Sequence, residues 1–258
     1  GLNLTVQRLL NQNKGLLAGR EGLVLNGGQL DNSSGGRLTS QKNIQVNLTE
    51  DLLNHFQGEL VSEGTLTVNA ANLDNSQGGI LSAANALSVT TQGLLNNQAG
   101  KLLVDGTASL YSGDLNNSQG GVISARNSID ILSANLDNSQ QGSIKSDAGI
   151  TLDGGQLNNS QQGSIFAKST VNATLTGLDQ HDRGELVSNT GINLNLNHGV
   201  LINRNRGLIA TPGQLLLSNL GVVDNSQGGE ISSTQSFVLA ADSLNNRGGK
   251  VISADSLQ

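Results

Sequence analysis

Several residue types are missing or scarce in this chain of 258 residues. It contains no cysteine, tryptophan or methionine, one proline, one tyrosine and three phenylalanines. The lack of cysteine excludes a disulfide framework and thiol chemistry. The lack of large aromatic side chains means that leucine, isoleucine, valine and alanine must fill the interior. No apolar run reaches the ~18 residues that a transmembrane helix needs, so we expect a protein that does not span a membrane.

Positive charge is also scarce. The chain has 14 Lys and Arg residues against 20 Asp and Glu residues, which gives a formal net charge of −6. Proteins that bind nucleic acid neutralise its phosphates with clustered lysine and arginine side chains. We therefore expect no nucleic-acid partner.

What the chain has instead is a phrase that returns every 20 to 23 residues. A full copy reads Leu-Asp-Asn or Leu-Asn-Asn, then a few polar residues, one or two glycines and a short apolar segment. We take the first residue of each copy as its anchor, which gives Leu10, Leu30, Leu53, Leu73, Leu95, Leu115, Leu136, Leu157, Leu178, Leu201, Val223 and Leu244. This fixed period predicts one stacked repeat array over residues 1–258 rather than separate globular domains. Both ends lie inside the pattern, with strands expected at Leu2 and Leu257, so we expect an internal fragment of a longer array.

Each copy divides into three short segments that alternate between apolar and polar residues. After the glycine, for example, Ile144 and Ser146 are predicted to point inward and Lys145 outward. A second alternating pair follows, as in Ile150 and Leu152, and the last such pair is Phe237 and Leu239. Alternation with a period of two is typical of half-buried strands, and the density of glycine and asparagine disfavours helix.

The sequence therefore predicts an all-β fold, a right-handed parallel β-helix of about 12 coils with three strands per coil. Coils that stack at about 4.8 Å would form a rod on the order of 50 Å long.

Asparagine two positions after the anchor forms a column of its own. It occurs as Asn32, Asn75, Asn97, Asn117, Asn138, Asn159, Asn203, Asn225 and Asn246. Identical amide side chains that are stacked in register can bond to one another along the stack. With the anchors chosen above, Gln12, His55 and Gln180 interrupt this column.

The repeat resembles a known family. The units that begin at Leu136 (Leu-Asp-Asn-Ser-Gln-Gln-Gly-Ser-Ile) and Val223 (Val-Asp-Asn-Ser-Gln-Gly-Gly-Glu-Ile) are similar to the haemagglutinin repeat of the filamentous haemagglutinin family. That family comprises large two-partner-secretion exoproteins of Gram-negative bacteria, which include adhesins and effectors of contact-dependent growth inhibition. The resemblance implies a β-helical shaft that is exported through an outer-membrane two-partner-secretion transporter and folds at the cell surface. It also implies roles in cell adhesion and virulence, with a receptor or glycan on a target cell as partner.

Three features are candidates for a site, and each also has a structural interpretation. The polar cluster Asp179 to Glu185, which contains His181 and Asp182, could offer ligands to a metal, or could be a solvated turn.

The longest steps, from Leu30 to Leu53 and from Leu178 to Leu201, place extra residues near Asp51 and His198. Insertions in repeat proteins form surface loops that can bind partners, or can be tolerated variation in loop length.

Paired carboxylates are the third feature, because β-helix enzymes use them to cleave polysaccharides. Here Asp31, Asp74, Asp137 and Asp224 belong to a repeated outward column that elsewhere holds asparagine, and the four aromatic residues Phe56, Tyr111, Phe166 and Phe237 are scattered. We therefore expect no enzyme and no catalytic, cofactor-binding or metal-binding residues. The expected function is the structural or adhesive shaft of a secreted surface exoprotein that projects an adhesive or toxic region toward other cells. The alternative is a β-helix lyase or glycoside hydrolase that acts on polysaccharide.

Overall fold

The computed structural model describes residues 1–254, which form strands and turns without any helix. The strand expected at Leu257 lies outside the described residues. Each coil contributes to three faces, which we name in the order that follows the glycine turn. Face 1 is the four-residue strand directly after the glycine, face 2 is the next strand along the chain, and face 3 is the short strand at the anchor.

The strands of each face repeat once per coil. Face 1 comprises Leu16–Gly19, Arg37–Ser40, Glu59–Ser62, Ile80–Ala83, Lys101–Val104, Val122–Ala125, Ser143–Ser146, Ser164–Ala167, Glu185–Ser188, Leu208–Thr211, Glu230–Ser233 and Lys250–Ser253. Face 2 comprises Ile44–Leu48, Thr65–Ala70, Ala86–Thr91, Thr107–Ser112, Ile129–Ser133, Ile150–Gly154, Thr170–Thr174, Gly191–Asn195 and Gln214–Ser218. Face 3 comprises Leu52–Leu53, Leu73–Asp74, Leu95–Asn96, Leu115–Asn116, Leu136–Asp137, Gln156–Asn158, Gly177–Asp179, Leu201–Ile202, Leu220–Asp224 and Ala241–Asn245. Two long strands, Leu2–Leu10 and Leu23–Asp31, run through both face 2 and face 3.

Every strand pairs in parallel with the corresponding strand of the next coil. Face 1 is a sheet of 12 strands, and the two long strands join faces 2 and 3 into a second sheet of 21 strands. On face 1, for example, Ile123 pairs with Ile144, and Ile144 pairs with Ile165. This arrangement is the predicted parallel β-solenoid of about 12 turns with three faces per coil. Its right hand remains a prediction from the rule for parallel crossovers.

The core is a set of aliphatic columns that run the length of the stack. Leu38, Leu60, Leu81, Ile144 and their counterparts on face 1 are buried, and so are the predicted inward pairs of face 2 from Leu23 and Leu25 to Ile192 and Leu194. Two coils without an obvious pair in the sequence use smaller residues, namely Ala108 with Leu110 and Val171 with Ala173. No single coil encloses a core of its own, so burial depends on the neighbouring coils.

Two of the predicted anchors are wrong by one residue. Leu30 pairs with Leu9 on one side and with Leu52 on the other, so Leu9 and Leu52 are the anchors, and not Leu10 and Leu53. Both sites are Leu-Leu pairs, in which alternation alone does not tell which leucine points inward. Leu52 is fully buried, whereas Leu10 is 57% exposed and points outward. The correction moves Asn11 and Asn54 into the asparagine column and removes Gln12 and His55 from it.

The last strand pair predicted on face 2 is also absent. Residues 236–240 form no strand, although Phe237 and Leu239 still pack against the core. Face 2 therefore ends at Gln214–Ser218 in the described residues, whereas face 1 continues with two further strands, Glu230–Ser233 and Lys250–Ser253.

Candidate functional site

The asparagine column is the most regular polar feature of the fold. Its members are Asn11, Asn32, Asn54, Asn75, Asn97, Asn117, Asn138, Asn159, Gln180, Asn203, Asn225 and Asn246, and most of these side chains are fully buried. Each Nδ2 donates to the Oδ1 of the next coil, at 2.7 to 2.8 Å in ten of the eleven steps. Gln180 replaces asparagine in one coil and continues the chain of bonds, with its Nε2 3.1 Å from Asn203 Oδ1. The column is therefore unbroken, and every bond in it runs in the same direction.

Each amide also holds the turn that follows it. Asn138 Nδ2 lies 2.8 Å from Asn159 Oδ1, 3.2 Å from the carbonyl oxygen of Gly142 and 3.1 Å from the carbonyl oxygen of Ser164. The first bond joins two side chains, the second closes the turn within the coil, and the third reaches face 1 of the next coil. A side-chain amide accepts through its oxygen from one neighbour and has two N–H groups to donate to the other neighbour and to the backbone carbonyls, whereas a hydroxyl has a single O–H. Asparagine and glutamine therefore suit this position better than serine or threonine.

The glycine that follows each asparagine by three or four residues has a steric cause. A Cβ at Gly142 would lie 2.4 Å from the carbonyl oxygen of Asn117, 2.6 Å from that of Asn138 and 2.7 Å from Asn138 Oδ1. The equivalent glycines are equally crowded. The glycine that closes the turn is thus required by the close approach of the amide column, and it does not form a nucleotide-binding loop.

The outward carboxylates of the repeat accept hydrogen bonds from backbone N–H groups of the turn that follows them. Asp137 Oδ1 accepts the backbone N–H of Ser139 at 2.9 Å, and Asn116 Oδ1 accepts that of Ser118 at the same distance. Asp31, Asp74 and Asp224 make the same contact two residues ahead. Either an amide or a carboxylate oxygen serves as the acceptor in such an Asx turn, which explains why Asp and Asn alternate in this column. Paired carboxylates of a hydrolase would need to converge on a cleft, whereas each of these accepts from the turn of its own coil, and Asp74 and Asp224 also accept from an asparagine amide of the next coil.

The cluster at Asp179 is a turn tied together by its own side chains. His181 Nδ1 lies 2.6 Å from Asp179 Oδ1, and His181 Nε2 lies 3.6 Å from Asp182 Oδ2. Asp182 also accepts a hydrogen bond from Asn205 of the next coil. Gln180 points into the buried column and not toward these groups. Within residues 1–254 no three His, Cys, Asp or Glu side chains are arranged to hold a metal ion.

The two predicted long coils differ in the structure. The step from Leu178 to Leu201 keeps its 23 residues, and its two extra residues lie between Asn195 and Leu201, beside the exposed His198. The step from Leu30 was overestimated, because it ends at Leu52 and has only one extra residue, next to Asp51. Only the loop at His198 is therefore a marked extension.

The aromatic side chains do not form a platform for a sugar. Phe56 lies on a turn, Tyr111 points outward from face 2, and Phe166 points outward from face 1. Phe237 packs against the core near the end of the described chain. The nearest ring to Phe56 is that of His55, with centroids 4.7 Å apart.

The turns that precede the glycine lie above one another in successive coils and form one edge of the stack, which we name the turn ridge. A groove that was not predicted from the sequence runs along this edge. Its volume is about 730 Å³, and it crosses five coils between Gln119 and Arg206. Gln140, Gln141 and Asp182 are among the polar side chains that line it, and Gln141 donates to Gln162 at 3.1 Å. The turn residues have positive φ, such as 51° at Gln140 and 66° at Gln141, which directs their side chains away from the core. The sequence signal was the pair of adjacent glutamines in two consecutive copies.

Comparison with known proteins identifies the repeat. The haemagglutinin repeat profile matches residues 1–55, 61–118, 99–176 and 155–258, which together cover almost the entire chain. No curated protein and no solved structure matches it. The described residues include no helix that is long and apolar enough to cross a membrane. The repeating coil, with its buried amide column and its turn glycine, is thus the structural form of a recognised sequence unit, and the chain belongs to the haemagglutinin repeat family.

Proposed function

We propose that this chain is a segment of the shaft of a secreted bacterial surface exoprotein. The observation that carries the proposal is the unbroken amide column, which links consecutive coils from Asn11 to Asn246. A column of bonds that runs along the rod holds coil to coil, which is what a spacer requires. The membership of a structural and adhesive family supports the same function.

The proposed context is export in an unfolded state through an outer-membrane two-partner-secretion transporter, followed by folding at the cell surface. The absence of cysteine from the whole sequence supports this, because no disulfide can form before export is complete. Coil-by-coil stacking supports it too, since each coil that emerges can add to those already folded. In the longer exoprotein, residues 1–258 would be an internal part of the array that carries an adhesive or toxic region toward another cell.

The groove on the turn ridge is the proposed contact with a glycan or receptor of the target cell. Its amide groups offer donors and acceptors of the kind that sugar hydroxyls use. Binding of the purified chain to an array of glycans would test this contact. Gln141→Ala and Gln162→Ala should weaken any binding, whereas Asn47→Ala on face 2 is a matched control outside the groove.

The shaft function is tested by removing one coil in register. Deletion of residues 137–157 joins Leu136 to Asn158 and keeps the Leu-Asn-Asn phrase. The shortened chain should fold with unchanged cooperativity and lose about 4.8 Å of length. When the chain separates a binding tip from a bacterial surface, the tip should stay active. Deletion of residues 137–147, which breaks the register, is the control and should abolish folding.

Polysaccharide turnover is the result that would overturn the proposal. Incubation of the chain with pectins and other acidic glycans should release no product. Turnover that disappears when two neighbouring carboxylates are replaced would show that the chain is an enzyme.

A further inference from the structure

The turn ridge carries long side chains in four consecutive coils. The residue directly before the turn glycine is, in order along the rod, Gln141, Gln162, Arg183 and Arg206. All four have φ of 66° or 67°, in the left-handed region where a residue with a Cβ is strained. The coils on either side have glycine at this position, and elsewhere in the described array a side chain here is never followed by another in the next coil. The continuous row of side chains is thus confined to the coils that line the groove.

The two ends of this row differ in charge. Gln141 and Gln162 are neutral and bond to each other, with Gln141 Nε2 3.1 Å from Gln162 Oε1. Arg183 and Arg206 lie in successive coils, are exposed and line the same groove. Within residues 1–254 neither guanidinium forms an ion pair or a hydrogen bond. Each therefore offers five N–H donors to a ligand.

The carboxylates around the groove do not cancel these charges. Asp182 is the one acidic residue among the described residues that line the groove. One of its oxygens accepts from Asn205 Nδ2, and the other lies 3.6 Å from His181 Nε2. Asp224 lies beside a different arginine, with its Oδ2 3.9 Å from Arg204 Nη1. Two arginines and one aspartate give the groove a net charge of +1, in a chain whose formal net charge is −6.

The row specifies a ligand with an acidic part and a neutral part. An arginine guanidinium donates two parallel hydrogen bonds to a carboxylate, whose planar shape it matches. Glutamine amides both donate and accept, and so suit the hydroxyl groups of neutral sugars. At a rise of about 4.8 Å per coil, the row from Gln141 to Arg206 spans about 14 Å, which accommodates a short oligosaccharide rather than a single sugar. A polyanion with a charge on every sugar would place charges opposite Gln141 and Gln162, where there is no cation.

We propose that the groove on the turn ridge binds an oligosaccharide that has an acidic sugar at one end. The carboxylate of that sugar contacts Arg183 and Arg206, and the neutral sugars that follow lie along Gln162 and Gln141. The acidic end and its direction along the rod go beyond the glycan contact proposed for the groove, on which they rest.

Binding of 3′-sialyllactose tests the proposal, with lactose as the matched neutral control, because the two sugars differ by one terminal acidic sugar. Isothermal titration of the full chain at low salt measures both affinities. We expect 3′-sialyllactose to bind at least about ten times more tightly than lactose, since hydrogen bonds to charged groups are the stronger ones. High salt should reduce this preference, because the charges are exposed.

Replacement of both arginines identifies the residues that are responsible. Arg183→Gln combined with Arg206→Gln gives these coils the glutamine of the two preceding coils, so the fold should be kept. The preference for 3′-sialyllactose should fall to less than about twofold. Arg204→Gln is the matched control, since Arg204 lies in the same coil as Arg206 but pairs with Asp224 and does not line the groove. The control should retain the preference, and the thermal midpoint of each variant reports whether the fold is intact.

Each outcome decides a different part of the proposal. Equal binding of the two sugars would contradict the acidic end and leave the glycan contact in place. Binding of 3′-sulfolactose as tight as that of 3′-sialyllactose would contradict recognition of a planar carboxylate. A preference that persists in the double variant would overturn the role of the two arginines. No binding of any of these sugars at about 10 mM would overturn the proposal and the glycan contact together, whereas deletion of one coil tests the shaft function separately.

Discussion

Two neighbouring columns of the repeat contain nearly the same side chains and do different things. The buried column accepts only Asn, with Gln once at position 180, and links one coil to the next. The outward column, one residue earlier, accepts Asp, Asn, Leu or Ile; its regular contact is the turn within its own coil, and only some of its members also bond to the next coil, as Asn96 Nδ2 does to Asp74 Oδ1 at 3.4 Å. The difference shows that a buried bond made at every coil specifies its residue more strictly than a partly exposed contact that only some coils make. The outward column can lose a member at Leu10, Leu53 or Ile202 without any loss of stacking.

The largest expected effect comes from a charge placed inside the rod. Ile144→Asp buries an unpaired carboxylate and should destabilise the chain by about 4 kcal/mol or more. Lys145→Glu, on the adjacent outward position, should change the stability by less than about 0.5 kcal/mol. Urea denaturation followed by circular dichroism measures both. Equal midpoints for the two variants would show that the inward and outward assignments are wrong.

The second effect interrupts the buried column itself. Asn138→Ala removes the side-chain acceptor of Asn117 Nδ2 and the donor to Asn159 Oδ1 and to the carbonyls of Gly142 and Ser164, and should cost about 3 kcal/mol. Its matched control is Asp137→Asn, which keeps the acceptor of the Asx turn and should cost less than about 0.5 kcal/mol. A small cost at Asn138, comparable with that of the control, would mean that the column is not what holds the coils.

The outward column should give a smaller effect of its own. Asp137→Ala removes the acceptor of the Ser139 N–H and should cost about 1 kcal/mol, because water can replace part of that bond. Hydrogen exchange of the Ser139 amide should accelerate while the amides of face 1 keep their protection. Faster exchange throughout the coil would show instead that this column also takes part in stacking.

The smallest effect concerns the turn that lines the groove. Gln141 has φ of 66° in a position where Gly35, Gly78 and Gly120 occupy other coils. Gln141→Gly should stabilise the chain by up to about 1 kcal/mol, since a left-handed backbone strains any residue with a Cβ. The reverse change, Gly120→Gln, should destabilise it by a similar amount. Thermal unfolding of the pair measures the difference, and effects of the same sign in both variants would contradict the explanation.

The sequence predicted the fold because burial imposes a strict pattern on a thin repeat. Period-two alternation around Ile144 and Ile150 identifies inward residues, and each copy confirms the others. Alternation does not assign the inward residue in Leu9-Leu10 or Leu52-Leu53, because both residues of each pair are apolar. Only the strand pairing with Leu30 shows that Leu9 and Leu52 are the anchors. The strand predicted at Phe237 is wrong for another reason. Its alternation of apolar and polar residues is intact, yet residues 236–240 do not pair with the strands of face 2.

The surface features were less predictable from the sequence. Gln140 and Gln141 form part of a groove because their backbone is left-handed, and no rule of alternation covers turn residues. The Asx turns at Asp137 and its equivalents explain the motif Leu-Asx-Asn-Ser only when the acceptor and the donor two residues ahead are seen together.

The central claim is that consecutive coils lie on one another at a constant rise. Pairs of spin labels on the outward positions of face 2 measure that rise, with one label at Thr67 and the second at Asp130, Thr151, Asn172 or Asn193, which follow one another in register. The account predicts distances that grow linearly by about 4.8 Å per coil, from about 14 Å at Asp130 to about 29 Å at Asn193. Distances that level off or fall along the series would contradict it.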